Sequence, residues 1–241
     1  PSNELNIIGT TGTNGKTTTT QIIDHILKYN NFPCSSLGTL GFISSSGIIS
    51  TGFTTPESIE LHHILQTIKN GGTKYVPMEI SSHALEMNRV DDINIKYAIF
   101  TNLGTDHLDF HKNEENYFNA KLKLFKNLNK NGIAIINIDD KYSKKIIDNI
   151  HSKYYTYGFS KKADLSIINY DLSIKESNAI IKHENKKYNL KTNLIGKFNL
   201  YNIMGAILCC NKIGIDMRTI LKAINCFNNV PGRLEKYYLP N

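Results

Sequence analysis

Ile7-Ile8-Gly9-Thr10-Thr11-Gly12-Thr13-Asn14-Gly15-Lys16-Thr17-Thr18-Thr19-Thr20 is the stretch whose reading decides the fold of this chain. Apolar Ile7 and Ile8 end a strand, a glycine-rich loop follows, and the threonine run with Gln21-Ile22-Ile23 opens a helix. Such a loop brings backbone N–H groups close to an oxyanion, and the helix behind it aims its partial positive charge at the same point. Lys16 adds a point charge, and the Thr17 hydroxyl suits Mg²⁺. The strict P-loop pattern wants glycine where this chain has Thr10, with glycines at 9 and 12 instead. The strand and helix around the loop make a nucleotide phosphate the predicted ligand; the alternative is a glycine-rich turn with an incidental lysine.

With 241 residues, 40% of them hydrophobic, the chain can bury one sizeable α/β core or a core with a small appendage. The formal net charge is +7. The lysines are dispersed among Asn and Ile and not gathered with aromatics into a stripe, so the charge reads as general composition bias together with an acidic, phosphate-bearing ligand, and no nucleic acid is predicted. Cys34, Cys209, Cys210 and Cys226 form no CxxC pair and read as reduced core residues, which predicts a cytoplasmic protein. Neither a secretory leader nor an apolar run of about 18 residues is present in the sequence, so no membrane insertion is predicted. The chain opens almost at its first strand, as an excised domain would.

Apolar strands alternate with helical patterns over most of the length. They predict an α/β class fold, a mostly parallel P-loop sheet flanked by helices. From about 163 to 195 the period changes to two, with turns expected at Ser177-Asn178 and Glu184-Asn185, and predicts a small antiparallel subsheet. Pro56 fits the first turn of a helix carrying Ile59, Leu61, Ile64, Leu65 and Ile68, with Thr55 as its expected cap and Ser58 as the next candidate.

Three positions carry chemistry by their placement. Glu79 ends the apolar strand from Tyr75, where an open α/β sheet places its site, and a Mg²⁺ partner accounts for a carboxylate there. The alternative is an outward-facing Glu79 on a half-exposed strand, a reading that Pro77 supports. Asp106-His107, directly after the strand ending at Thr101, is site-like. Lys121 falls on the apolar stripe of Tyr117, Leu124, Phe125 and Leu128, where it is either a snorkelling stem or a buried functional group.

Several motifs in order resemble the Mur ligase family, ATP-dependent enzymes that join an amino acid to a carboxylate. They are Gly-Thr-Asn-Gly-Lys-Thr-Thr at 12–18, Thr54-Thr55-Pro56-Glu57, Ser81-Ser82-His83-Ala84-Leu85 with Arg89, the Tyr117 to Lys121 segment, Gly196-x-Phe198-Asn199-x-x-Asn202 and Pro231-Gly232-Arg233-Leu234-Glu235. The second and third are similar to the UDP-N-acetylmuramoyl-tripeptide synthetase branch. The resemblance covers nearly all of the chain and implies the central ATPase domain of a three-domain plan, without the N-terminal UDP-binding and C-terminal amino-acid-binding domains. It assigns Gly12, Thr13, Asn14, Gly15, Lys16, Thr17, Thr18, Asn199, Asn202 and Arg233 to ATP. Thr54, Thr55, Ser81 and Arg89 are assigned to the UDP-muramoyl-dipeptide; Met87 replaces a glutamine found in some relatives. Thr17, Glu79, His107 and Lys121 are assigned to two Mg²⁺ ions, Lys121 as a CO₂-derived carbamate, with Asp106, Asp109 and His111 as loop supports.

The implied reaction is ATP-dependent amide formation through an acyl phosphate, with Lys16, Glu79, His107 and Lys121 as catalytic residues and flanking domains of the same polypeptide as partners. In the family it extends UDP-N-acetylmuramoyl-L-alanyl-D-glutamate in cell-wall synthesis. Competing readings are a related ligase of the folylpolyglutamate or cyanophycin type, a noncatalytic nucleotide-binding module, and a nucleic-acid ATPase suggested by charge alone.

Overall fold

The computed structural model describes residues 1–44 and 47–234. Its strands form one sheet in the order β11-β10-β9-β8-β7-β6-β1-β5-β2-β3-β4. The parallel centre is β2 (Ser36–Gly38), β5 (Tyr75–Glu79), β1 (Asn6–Thr11), β6 (Ile95–Phe100), β7 (Ile133–Asn137) and β8 (Lys153–Gly158). β1 lies between β5 and β6, so the chain leaves it toward one edge and later returns on its other side. That reversal opens a crevice at the carboxyl ends of the strands, where α/β sheets bind ligands.

Adjacent residues of β1 serve opposite cores. Ile8 packs with α1 (Lys16–Tyr29), α7 (Lys197–Ile213) and α8 (Met217–Asn225), whereas Ile7 packs with α2 (Ser58–Asn70) and α5 (Glu114–Lys126) on the other face. This is the two-sided burial expected of a central parallel strand. Pro77 is tolerated inside β5 because of alternation. Lys74 O and Ile80 N pair with β1, whereas Tyr75 N faces the β2 side, and Pro77 shares the parity of Tyr75. Its missing N–H therefore falls on the side where pairing with β2 is confined to Leu37 and Met78.

The antiparallel part is a continuation of the main sheet. Strands β9 (Leu165–Leu172), β10 (Ser177–His183) and β11 (Lys186–Thr192) form it, and β9 joins β8 in parallel through Tyr157–Leu165 and Gly158–Ser166. Glu184 and Asn185 make the β10–β11 turn with φ of 47° and 62°. The other turn differs from expectation: Ser177 and Asn178 already belong to β10. The reversal is at Ser173–Glu176, closed by Ser173 N and Oγ donating to Glu176 O at 3.0 and 2.9 Å. At the opposite edge β3 (Gly41–Ser44) and β4 (Gly47–Ile49) pair antiparallel. Two short helices, α4 (Leu108–His111) and α6 (Ser143–Ile147), complete the connections together with α3 (Ser82–Glu86). Glu235 of the Pro231 to Glu235 motif lies outside the described residues.

Tyr157 ties the sheet together near the site: its ring is fully buried and its hydroxyl donates to Phe100 O at 3.0 Å. Tyr157→Phe is expected to cost about 1 kcal/mol, the usual net value of one buried hydrogen bond, read as a lower urea midpoint at unchanged slope.

Candidate functional site

The loop after β1 turns at two glycines that admit no side chain. Gly15 has φ 87°, and a Cβ there would lie 2.1 Å from Asn202 Oδ1; a Cβ on Gly12 would lie 1.9 Å from Thr101 Oγ1. The loop is latched to the end of β6. Thr13 N donates to Asn102 O at 2.9 Å, Asn14 N to Asn102 Oδ1 at 3.0 Å, and Thr101 Oγ1 to Asn14 O at 2.7 Å. Gly15 is the N-cap of α1 and offers no side-chain cap, so the positive end of the helix faces the crevice without a built-in partner.

Lys16 lies across this cradle, with Nζ donating to Gly12 O and Thr13 O, both at 2.9 Å. Burial lowers its pKa, against the opposing charges of Glu79 and Asp106. Thr17 Oγ1 donates to Glu79 Oε2 at 2.9 Å, and Arg233 Nη2 donates to Thr17 Oγ1 at 3.4 Å. Glu79 is 1% exposed, which removes the outward-facing alternative. Its charge is answered by donors: Thr39 N reaches Oε1 at 2.8 Å and Thr39 Oγ1 reaches Oε2 at 3.2 Å. The buried Thr17–Glu79 oxygen pair fits Mg²⁺, which takes one or two carboxylates and fills its shell with phosphate and water oxygens.

Lys121 is also 1% exposed, so it does not snorkel. Its Nζ donates to the same Gly12 O at 3.0 Å and lies 4.3 Å from the centroid of the Tyr117 ring. Burial, and then the charge of Lys16, hold its pKa well below the lysine range, with Asp106 opposing. The Tyr117 hydroxyl meets Thr13 Oγ1 at 3.1 Å, and Thr13 Oγ1 accepts from Gly104 N at 2.8 Å, so the stripe, the phosphate loop and the loop after β6 are joined.

His107 is placed at the rim. It adopts φ 53°, its side chain is half-exposed, and its Nε2 lies 3.5 Å from Asp106 Oδ2. Its ring stands 4.8 Å from that of His83 and 6.2 Å from that of Tyr117. His111 is buried with Nε2 3.0 Å from Ser82 Oγ, and burial lowers the pKa of both His83 and His111. Among the described residues no three His, Cys, Asp or Glu side chains converge as a metal cage. Thr17 and Glu79 are brought together, whereas His107 touches neither.

Thr55 does not cap α2, because its hydroxyl donates to Glu79 O at 2.9 Å and accepts from Ser81 N at 3.0 Å. Glu57 occupies the cap position, and Pro56 precedes it outside the helix. Ser81 caps α3, accepting from Ala84 N at 3.1 Å, a short helix that the sequence pattern did not announce. Thr54 Oγ1 lies 3.1 Å from Thr39 Oγ1, and Arg89 donates from Nη1 to Thr55 O at 3.1 Å. On the other side Asn202 Nδ2 donates to Asn199 Oδ1 at 3.1 Å. Both are buried inside α7, whose N-cap is Gly196. They line a cavity of about 580 Å³ with Tyr201 and Arg233. Through Asn14, Gly15, Thr18 and Arg233 it adjoins a second of about 280 Å³ that contains Lys16, Thr17, Thr39, Thr54 and Glu79. A hollow of about 640 Å³ between Phe125 and Ser152, at the amino ends of β7 and β8, is lined by none of the predicted residues.

Thr39 and Asn102 have no assigned role in the sequence, and Tyr117 is placed there only on the apolar stripe and in the motif of Lys121. Thr39 sits in a Gly-Thr-Leu-Gly turn and Asn102 in the ligand-dense loop, but only the fold shows that they hold Glu79 and Asn14.

Residues 10–210 match the family model described as the Mur ligase middle domain. The UDP-N-acetylmuramoyl-L-alanyl-D-glutamate–2,6-diaminopimelate ligase of Aquifex aeolicus is 43% identical over 235 residues, which are 98% of this chain and 48% of that protein. The Clostridium botulinum ligase of the same name is 42% identical over 237 residues, again 98% of this chain and 48% of that protein. A solved structure of a ligase of that name superposes with a TM-score of 0.86 at 26% identity, covering 98% of this chain and 49% of the other. The chain spans about half the length of the curated relatives it matches. Among the described residues no helix is long and apolar enough to cross a membrane. Motif order, a parallel sheet with the phosphate loop at its switch point, and these matches agree: the chain belongs to the Mur ligase family.

Proposed function

We propose that residues 1–241 are the central ATPase domain of a ligase that adds 2,6-diaminopimelate to UDP-N-acetylmuramoyl-L-alanyl-D-glutamate in peptidoglycan synthesis. The antiparallel insertion at about 163–195 belongs to this domain. Flanking domains of the same polypeptide would grip the uridine and select the amino acid, and the nucleotide-linked substrates put the reaction in the cytoplasm. The observation that carries the reading is Lys121, a buried lysine with no carboxylate partner among the described residues, held beside the phosphate-binding Lys16 by a shared carbonyl.

ATP is assigned to Gly12–Thr18, with Asn199, Asn202 and Arg233 on the base side. Lys16 would release the carbonyls of Gly12 and Thr13 to meet the γ-phosphate, and the α1 amino end would carry phosphate charge. Thr17 and Glu79 would hold one Mg²⁺, and Glu79, His107 and a carbamate on Lys121 a second; bound there, the ions supply Lewis-acid stabilisation of phosphoryl charge. His107 would have to turn inward from its rim position, and its place on an exposed loop allows that. Only an unprotonated amine reacts with CO₂, so the lowered pKa of Lys121 favours the carbamate. Thr54, Thr55, Ser81 and Arg89 are assigned to the muramoyl dipeptide. Its carboxylate oxygen attacks the γ-phosphorus and ADP leaves; the amine of the amino acid then attacks the acyl carbon, loses a proton, and phosphate departs.

In the three-domain enzyme, phosphate release should require both the muramoyl dipeptide and the amino acid. Lys121→Ala should lower kcat on the order of a hundredfold or more, the scale of losing one transition-state charge stabiliser. Phosphate release that ignores the muramoyl dipeptide would instead identify a nucleotide-binding module. Carbon-13 NMR with labelled bicarbonate and Mg²⁺ should show a carbamate resonance that Lys121→Ala removes.

Without CO₂ and nucleotide, Lys121 should destabilise the fold. The unfolded lysine keeps its ordinary pKa and the folded one lies below it, so the unfolded chain binds the extra proton. The penalty is absent above the unfolded value, grows as pH falls toward the folded value, and is complete below it. Lys121→Met should therefore stabilise the protein by about 1–3 kcal/mol at neutral pH, and the gain should vanish as pH rises into the lysine range, as urea titrations can measure.

A further inference from the structure

Arg89 is almost completely enclosed, its side chain 10% exposed, and the chain itself supplies an anion to it. Glu57 Oε1 lies 2.6 Å from Arg89 Nη2. The rest of the guanidinium is held in plane by neutral groups: Nη1 donates to Thr55 O at 3.1 Å, Nη2 touches Met87 Sδ at 3.3 Å, and the Phe53 ring lies 5.1 Å from Cζ. Nε is buried and has no hydrogen-bond partner among the described residues. A guanidinium carries its donors in a fixed fork that matches a carboxylate. Here that fork is loaded by one carboxylate oxygen and left with an orphan donor.

Glu57 is built to leave. Its side chain is 57% exposed, and although it is the N-cap residue of α2 it makes no side-chain cap bond. When it swings away from Arg89 its charge stays beside the positive end of α2, which limits the cost of release. Arg89, by contrast, is anchored on Thr55, whose hydroxyl also holds the Glu79 backbone and Ser81. One partner of the ion pair is enclosed and anchored, and the other is exposed.

We propose that Glu57 is an internal stand-in for the substrate carboxylate, an autoinhibitory contact that the ligand must displace to reach Arg89. This rests on the reading of Arg89 as a substrate-binding residue. A carboxylate is the class of ligand because a carboxylate of the chain already occupies the fork. The contact lowers apparent affinity by the fraction of molecules with Glu57 released, so weakly matched anions are turned away while a ligand that also engages Nε is retained.

The test is NMR of the ¹⁵N-labelled chain, which has three arginines, Arg89, Arg218 and Arg233, so the Arg89 Nε–Hε signal can be assigned by Arg89→Lys. L-alanyl-D-glutamate is titrated as the carboxylate probe and inorganic phosphate as the comparison. Glu57→Gln keeps the shape and removes the charge; Glu57→Asp keeps the charge near α2 and withdraws it from Arg89. Both variants should bind the dipeptide about three- to fivefold more tightly than the unaltered chain, the scale of a partly exposed ion pair, and phosphate should shift Arg89 less than the dipeptide. Unchanged or weaker binding by both variants, in protein whose amide spectrum shows the native fold, overturns the proposal and makes Glu57 a positioning residue. Tightening by Glu57→Gln alone overturns it in favour of a general field effect. Dipeptide binding that survives Arg89→Ala unchanged removes the reading of Arg89 itself, and the proposal with it.

Discussion

The carbonyl of Gly12 accepts from two lysines, Lys16 on the phosphate loop and Lys121 on α5, and the site depends on that shared acceptor. Burial leaves both ammonium groups poorly solvated and lowers both pKa values, and the charge of Lys16 lowers that of Lys121 further. A protein spends stability on such an arrangement where it serves chemistry. Gly12 is the residue that makes it possible. Its backbone approaches Thr101 too closely for any side chain, and this closeness puts its carbonyl within reach of a helix on the far side of the loop.

The buried carboxylate of Glu79 is the second constraint, and it is resolved differently. Three donors, Thr17 Oγ1, Thr39 N and Thr39 Oγ1, hydrogen-bond its two oxygens. Thr39 also reaches Thr54, and Thr55 holds the Glu79 carbonyl, so the Thr54–Thr55 segment and the Glu79 carboxylate meet at the end of β5. Position on the sheet explains why these groups converge. β5 and β6 flank β1, and the loops leaving their carboxyl ends have no room to diverge before they meet the phosphate loop.

Legibility in the sequence followed the range of the interaction. The phosphate loop, the two-faced strands and the stripe of α5 are local patterns, and each was readable from spacing alone. The cap of α2 was not, because Thr55 was drawn into bonds with Glu79 and Ser81, residues 24 and 26 positions away. The turn before β10 was misplaced by a few residues, because Ser177 and Asn178 have turn chemistry and yet pair with Leu172 and Asp171 across the sheet. The continuity of the antiparallel strands with the main sheet was also invisible, since it rests on two pairings between β8 and β9.

By itself the sequence determined the class of fold, the glycine-rich loop between β1 and α1 and the identity of the residues at each motif, because these are set by periodicity, glycine placement and residue chemistry over short spans. Only the tertiary structure decided that Glu79 and Lys121 are buried, that Gly12 serves both lysines, that Thr39 holds Glu79, and that Glu57 sits on Arg89. Burial and partner choice depend on which distant segments the sheet order brings together. No local spacing records that order.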